Sequence, residues 1–431
     1  MAMFLFAAIF IVLFALGTPI AVALGATSLF NIEVFETVSL SSFTKTASNC
    51  FSSYVLVACP LFTFAGDIMA KGGISARLVK VCRLLFDNIS GGLGIVTIVA
   101  CMIFAAISGT GSATVSAIGM LMIPEMVKAG YDRSYSTCMV AIGGAIGTMI
   151  PPSICMVVYA TAAGVSLTSM FTAGIPAGVI FGCFLIGYCY FSSKKRGYYP
   201  TERTKYTAKE VIAILVDAIP AFSVPVIILG SIYGGLATPT EAAALGCLVG
   251  IIVSLFIYKE VSFKELPYLA MFAMTISAPV MFIISMSGGF GQILSMEQVP
   301  AKIAAAILAI TDNKIILLLI INMIYLVMGT FMETNAAIIL TVPILLPIVT
   351  AVGVSPVHFG IVTIVNLAIG FVTPPLGANL FMASAIGGVN LNKLAKDIWP
   401  WIGVGVAGLL LITYVPELVV FLPRMMGYSL G

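Results

Sequence analysis

Two short polar runs stand where a chain this apolar should have none. They are Ser108-Gly-Thr-Gly-Ser-Ala-Thr114 and Gly329-Thr-Phe-Met-Glu-Thr-Asn335. Each is matched downstream by a proline pair in an apolar run, Gly147-Thr-Met-Ile-Pro-Pro-Ser153 and Gly370-Phe-Val-Thr-Pro-Pro375. The chemistry on offer is neutral oxygen. Ser108, Thr110, Ser112 and Thr114 carry hydroxyls, and two successive prolines remove two N–H donors, which frees carbonyls one turn earlier. Hydroxyls with free carbonyls suit a hard cation that prefers oxygen, such as Na⁺. The first run is expected to face the break at 147–153, and the second copy offers the same ingredients at Gly329-Thr330 and at 370–375, so two symmetry-related Na⁺ sites are expected. Helix N-termini after each run turn positive partial charge inward, which favours an anionic substrate. Thr110, Thr114, Ser153, Glu333 and Asn335 are the residues expected around it. The plainer alternative is that the proline pairs only kink packed helices and the hydroxyls only cap them.

Charged residues in a membrane are costly and usually functional. Glu333 has no Lys or Arg near it in sequence, leaving three readings: a neutral acid, a cation ligand, or an acceptor for tip amides. Glu241, in Ala237-Thr-Pro-Thr-Glu-Ala-Ala243, is expected to cap a helix N-terminus. His358, the single histidine, is expected to be a plain interfacial residue.

The elements that position these residues follow from composition. Of 431 residues, 61% are hydrophobic and 9% charged. Soluble chains carry about 25% charged residues, so this one is an integral membrane protein. A net charge of +3 gives no reason to expect nucleic acid as a partner. The nine cysteines form no C-x-x-C pair and read as buried apolar residues. The first 31 residues carry no Lys or Arg. They are expected to stay as a membrane segment, since a cleavable signal has a positive n-region. Long runs without two-residue alternation make the spans helices, each about 20 residues long. They fall at 3–17, 19–31, 50–70, 135–163, 170–193, 211–233, 239–258, 266–287, 358–388 and 399–422. Residues 92–127 and 315–349, which hold the two polar runs, are read as re-entrant hairpins.

Lysines and arginines favour the cytoplasmic side. With both hairpins turning back, 16 of them lie inside and four (Lys45, Lys302, Lys314, Arg424) outside. Both termini are then periplasmic. Residues 72–88 and 297–310 read as amphipathic helices along opposite interfaces.

The pattern repeats. An offset of 223 places Pro124 on Pro347, Gly130 on Gly353, Gly147 on Gly370, and Pro151-Pro152 on Pro374-Pro375. Glycine and proline matter in such a match because they fix backbone shape. The chain divides into a first repeat at 1–197, a cytoplasmic linker at 198–210 and a second repeat at 211–431. Five spans per copy, an odd number, invert the second copy. The expected fold is all-α, with two inverted repeats, about ten spans and two hairpins, a transporter plan whose sites lie where broken helices meet.

Phe104-Ala-Ala-Ile-Ser-Gly-Thr-Gly-Ser-Ala-Thr114, Ile150-Pro-Pro-Ser153, Thr238-Pro-Thr-Glu-Ala242, Val372-Thr-Pro-Pro-Leu-Gly377 and Gly66-Asp-Ile-Met-Ala-Lys-Gly-Gly73 together resemble the large membrane subunit of TRAP transporters, the DctM/SiaM type. The resemblance runs over essentially the whole chain. It implies a Na⁺-driven importer of organic acids in the bacterial inner membrane, working by an elevator movement. By motif match it implies one Na⁺ site at Ser108, Ser112, Gly147, Ile150 and Pro152 and a second at Gly329, Thr330, Gly370, Thr373 and Pro375. It also implies a small four-helix membrane subunit of the DctQ type and a periplasmic substrate-binding protein. Of the family's substrates, sialic acid is expected ahead of C4-dicarboxylates. The rival reading is a stand-alone Na⁺/carboxylate symporter. A channel would need rings of charge, and an enzyme an activated nucleophile or acid–base pair; the sequence displays neither.

Overall fold

The computed structural model describes residues 8–13, 16–199, 206–299, 302 and 313–431. The first expected span, the 198–210 linker and the 297–310 helix fall partly or largely outside these residues. Among the described residues the chain is helical throughout, without strands. Seven helices among the described residues are long and apolar enough to cross a membrane, or eight with one bent pair counted as a span.

The first half begins with α1 (Ile20–Phe35), set off from residues 8–13 by Gly17 in the left-handed region. An unexpected helix follows, α2 (Leu40–Phe51), started by Ser39, whose hydroxyl accepts from the Ser42 amide at 3.2 Å. Its serines and threonines disguise it as a loop in the sequence. A 3₁₀ turn at Tyr54–Val57 leads into α3 (Ala58–Lys71) and the amphipathic α4 (Ile74–Phe86). The first hairpin is α5 (Gly92–Ser108) and α6 (Gly111–Lys128). The broken span is α7 (Arg133–Ala145) and α8 (Ile154–Ala163), joined by a 3₁₀ turn and the proline pair. A long helix, α9 (Leu167–Arg196), closes this half.

The second half holds α10 (Ala208–Tyr233), α11 (Pro239–Ile252), α12 (Leu266–Met296), the hairpin α13 (Lys314–Phe331) and α14 (Thr334–Ala351), and the broken span α15 (Pro356–Gly370) and α16 (Ala378–Gly387). It ends with α17 (Leu391–Asp397), α18 (Trp399–Tyr414) and α19 (Glu417–Met425). Hairpin, then broken span, thus occurs in the same order in both halves. Residues 399–422, expected as one span, are two helices: Val415 and Pro416 end α18 and start α19. The 48° bend between α17 and α18 marks where the apolar run turns.

Glu241 forms a complete capping box on α11. Its Oε2 accepts from the Thr238 amide at 2.7 Å, and the Thr238 hydroxyl accepts from the Glu241 amide at 3.3 Å. His358 is buried rather than interfacial, with Nε2 2.9 Å from the Ile412 carbonyl oxygen. Only the packing of α15 beside α18 brings that carbonyl within reach.

The charges sorted by side also meet in space. Lys71 pairs with Glu265 at 2.6 Å, Arg77 with Glu260 at 2.7 Å and Asp217 at 3.3 Å, and Arg83 with Glu125 at 3.5 Å. The loops that the positive residues assign to one side therefore gather at one end of the molecule.

Candidate functional site

The first tip is shorter than its polar run. Glycine is required at 109, where φ is +65° and the carbonyl oxygen of Pro152 lies 2.7 Å from where a Cβ would sit. Thr110 then caps α6, its hydroxyl accepting from the Ala113 amide at 3.4 Å. Ser112 and Thr114 consequently belong to α6 and not to the turn. Thr114 Oγ1 donates to the Thr110 carbonyl at 2.9 Å and lies 3.1 Å from Ser108 Oγ, inside the protein.

The α7–α8 break closes over this group. A Cβ on Gly147 would strike the Thr110 carbonyl oxygen and lie 2.6 Å from Thr114 Oγ1, so only glycine lets the two elements meet. The Ile154 amide donates to the Gly109 carbonyl at 3.3 Å. Ser153 points back into the break and donates to the Thr148 carbonyl at 2.7 Å. The tip and the break lie in one contact, with Ile150 and Pro152 buried alongside. Ser112 is exposed and makes no hydrogen bond with this group among the described residues.

In the second half, Gly329 and Gly370 touch through bare backbone. Thr330 Oγ1 donates to the Val327 carbonyl at 2.7 Å and Thr373 Oγ1 to the Ile369 carbonyl at 2.8 Å. Both hydroxyls therefore use their proton on a carbonyl and keep their oxygen lone pairs as acceptors. Pro375 lies at the surface. Glu333 caps α14: Oε2 accepts from the Ala336 amide at 3.1 Å and Oε1 from Asn335 Nδ2 at 2.8 Å. The third reading of Glu333, an acceptor for tip amides, describes this geometry.

The halves cross. The second segment of each broken span leans on the other half's hairpin, α8 on α14 and α16 on α6. Since α7 and α8 form one interrupted span, the first tip reaches its middle and turns back there. The second tip does the same at the α15–α16 break.

Several polar residues here have no counterpart among the expected site residues. Asn366 Nδ2 donates to Asn322 Oδ1 at 2.9 Å, and Asn322 Nδ2 to Thr413 Oγ1 at 3.2 Å, all buried. Asn379, at the start of α16, is buried against Gly111 and Gly144 of the first half. A lone asparagine in an apolar membrane run is the sequence signal that marks each of them.

Broken spans closing on re-entrant tips define a membrane transporter of the discontinuous-helix class. The family model described as "Tripartite ATP-independent periplasmic transporter, DctM component" matches residues 7–418. The chain belongs to this family. It is 44% identical over 412 residues to the isethionate TRAP transporter permease protein DctMQ of Oleidesulfovibrio alaskensis, covering 96% of this chain and 65% of that relative. It thus spans just under two thirds of that protein's length. It is 36% identical over 407 residues to the C4-dicarboxylate TRAP transporter large permease protein DctM of Pseudomonas aeruginosa, covering 94% of this chain and 95% of the relative. Among solved structures, the Alcanivorax borkumensis YdaH transporter superposes with a TM-score of 0.65 at 14% identity, covering 90% of this chain and 89% of that one. That likeness concerns the fold alone.

Proposed function

We propose that this chain is the transport subunit of a tripartite, Na⁺-coupled secondary transporter that imports an organic anion across the bacterial inner membrane. The observation that carries the reading is the contact of each hairpin tip with the broken span of its own half. It gathers Ser108, Thr110, Thr114 and Gly147 in one place, and Gly329, Thr330, Gly370 and Thr373 in another. Each group offers oxygens without formal charge, which suits Na⁺. The N-terminus of α6, with Ser112 at its opening, supplies the positive partial charge that an anion seeks, whereas that of α14 is already capped by Glu333.

The cargo class is a small organic anion. The names of the relatives point to a sulfonate or a dicarboxylate, and sialic acid, a carboxylate, belongs to the same class. A small DctQ-type subunit and a periplasmic binding protein complete the system, and both termini lie in the periplasm.

An elevator movement accounts for the join at α4. Arg77 is held by Asp217 and Glu260, and its guanidinium lies 3.6 Å above the Tyr258 ring. These residues tie the α4 arm to α10 and the α11–α12 connection, while Arg83 and Glu125 tie it to the hairpin, which in this reading is the mobile part.

Reconstitution tests the reading. Proteoliposomes holding this chain and the small subunit, supplied with the binding protein, should take up substrate when a Na⁺ gradient is imposed. Uptake by the chain alone, without binding protein, would favour the stand-alone symporter instead.

A further inference from the structure

Asn379 is a polar side chain that the two cation groups leave unused. It sits two residues after Gly377, in the first turn of α16, and is 1% exposed. Neither its Nδ2 nor its Oδ1 has a hydrogen-bond partner among the described residues. A buried amide with both ends unpaired is expensive, so something absent from the bare chain should complete it.

Its surroundings say what. A Cβ on Gly111 would lie 2.9 Å from Asn379 Nδ2 and 3.1 Å from the Gly144 carbonyl oxygen. A Cβ on Gly144 would lie 3.0 Å from the Gly111 carbonyl oxygen and 3.4 Å from Asn379 Nδ2. The amide therefore rests where α6 and α7 cross through bare backbone. Gly111 adjoins Thr110, and Gly144 precedes Gly147 by one helical turn. Gly147 belongs to the first cation group, and the Thr110 carbonyl meets it in the tip–break contact.

We propose that Asn379 is the oxygen ligand that the second half contributes to the first cation site, bound directly or through one bridging water. The inference rests on the Na⁺ reading above. Oδ1 is a neutral oxygen like the others in the group and adds no charge to the membrane interior. Nδ2 can then turn to the Gly111 or Gly144 carbonyl. A cation in the first half is thereby felt by a half-helix of the second. The position matching Asn379 at the 223 offset is Met156, a thioether with little affinity for Na⁺. The two cation sites are therefore built unequally.

The test is a melting curve of the purified full chain in detergent, with NaCl exchanged against choline chloride at constant ionic strength. Ser108→Ala reports on the Na⁺ reading itself. Asn379→Leu keeps the volume and removes an unpaired amide, so a purely structural role leaves Na⁺ binding unchanged. The expected result is that Asn379→Leu melts in choline at or above the wild-type temperature, yet needs about 10-fold more Na⁺ for half of the Na⁺-dependent shift. Asn379→Asp, which restores an oxygen, moves that midpoint back towards wild type. Should the leucine variant fail to fold, Asn379→Ala and Asn379→Asp give the same comparison. Wild-type midpoints in the Asn379 variants beside a shifted Ser108→Ala would overturn the proposal and leave the Na⁺ reading standing. A wild-type chain whose melting ignores Na⁺ would overturn both.

Discussion

Gly329 and Gly370 hold the second hairpin tip against the second broken span. A Cβ on Gly329 would lie 2.9 Å from the Gly370 Cα and 3.0 Å from the Leu367 carbonyl oxygen. With backbone on both sides, no side chain can swing away to make room. The tip can approach the break this closely only while both positions remain glycine.

Gly329→Ala is therefore expected to destabilise the protein by about 1–3 kcal/mol, the range for overpacking a tight contact. Gly187, inside α9, provides the control, since no heavy atom lies within 4 Å of where its Cβ would sit. Gly187→Ala should leave stability unchanged or raise it by about 0.5–1 kcal/mol through helix propensity alone. Thermal melts of the two variants check the contrast; equal melting temperatures would argue against the contact.

Glu333 anchors the start of α14 through the Ala336 amide. Replacing it with alanine removes the cap and should cost about 0.5–2 kcal/mol. Glu333→Gln retains an acceptor oxygen and should lose much less. Chemical or thermal denaturation of the pair measures the difference, and a glutamine variant as unstable as the alanine variant would show that the charge is what the tip needs.

Lys71 and Glu265 make an acid-resistant contact at the end of the molecule where the ion pairs gather. The Lys71 ammonium, helped by the amide and hydroxyl of Ser262, holds the Glu265 carboxyl at about 2. A depressed carboxyl stabilises the fold above its unfolded value and loses that contribution as pH falls through the folded one. Lys71→Met should lower the melting temperature by a constant small amount at neutral pH. The gap should narrow only below about pH 4, the ordinary carboxylate range, and close near pH 2. A gap already closed at pH 5 would contradict the pair.

Much of the fold is legible in Gly and Pro positions, because these residues constrain backbone directly. Gly147 and Gly370, matched in sequence, each meet a hairpin tip in space. Charge places Lys71 and Arg77 at the same end as Glu265 and Glu260, where they pair. What composition hides is local or long-range. Helix α2 is polar enough to pass for a loop, and its partner α12 lies more than two hundred residues away. The tips are shorter than their polar runs suggest, since Thr110 and Glu333 restart helices through caps while Ser112 and Asn335 still read as loop residues. Asn379 stands out as a lone asparagine in an apolar run, but what it does there is hidden because its neighbours Gly111 and Gly144 come from the other half of the chain. No spacing rule connects them.

Two cation sites acting together are the centre of the account, and the Na⁺ dependence of uptake tests them most directly. With substrate and binding protein saturating, initial uptake should rise with Na⁺ with a Hill coefficient approaching about two, the limit for two coupled sites. Thr373→Ala, which disables the second group, should bring it to about one while uptake still requires Na⁺. Uptake indifferent to Na⁺, or a Thr373→Ala curve that superimposes on the wild type, would contradict the account.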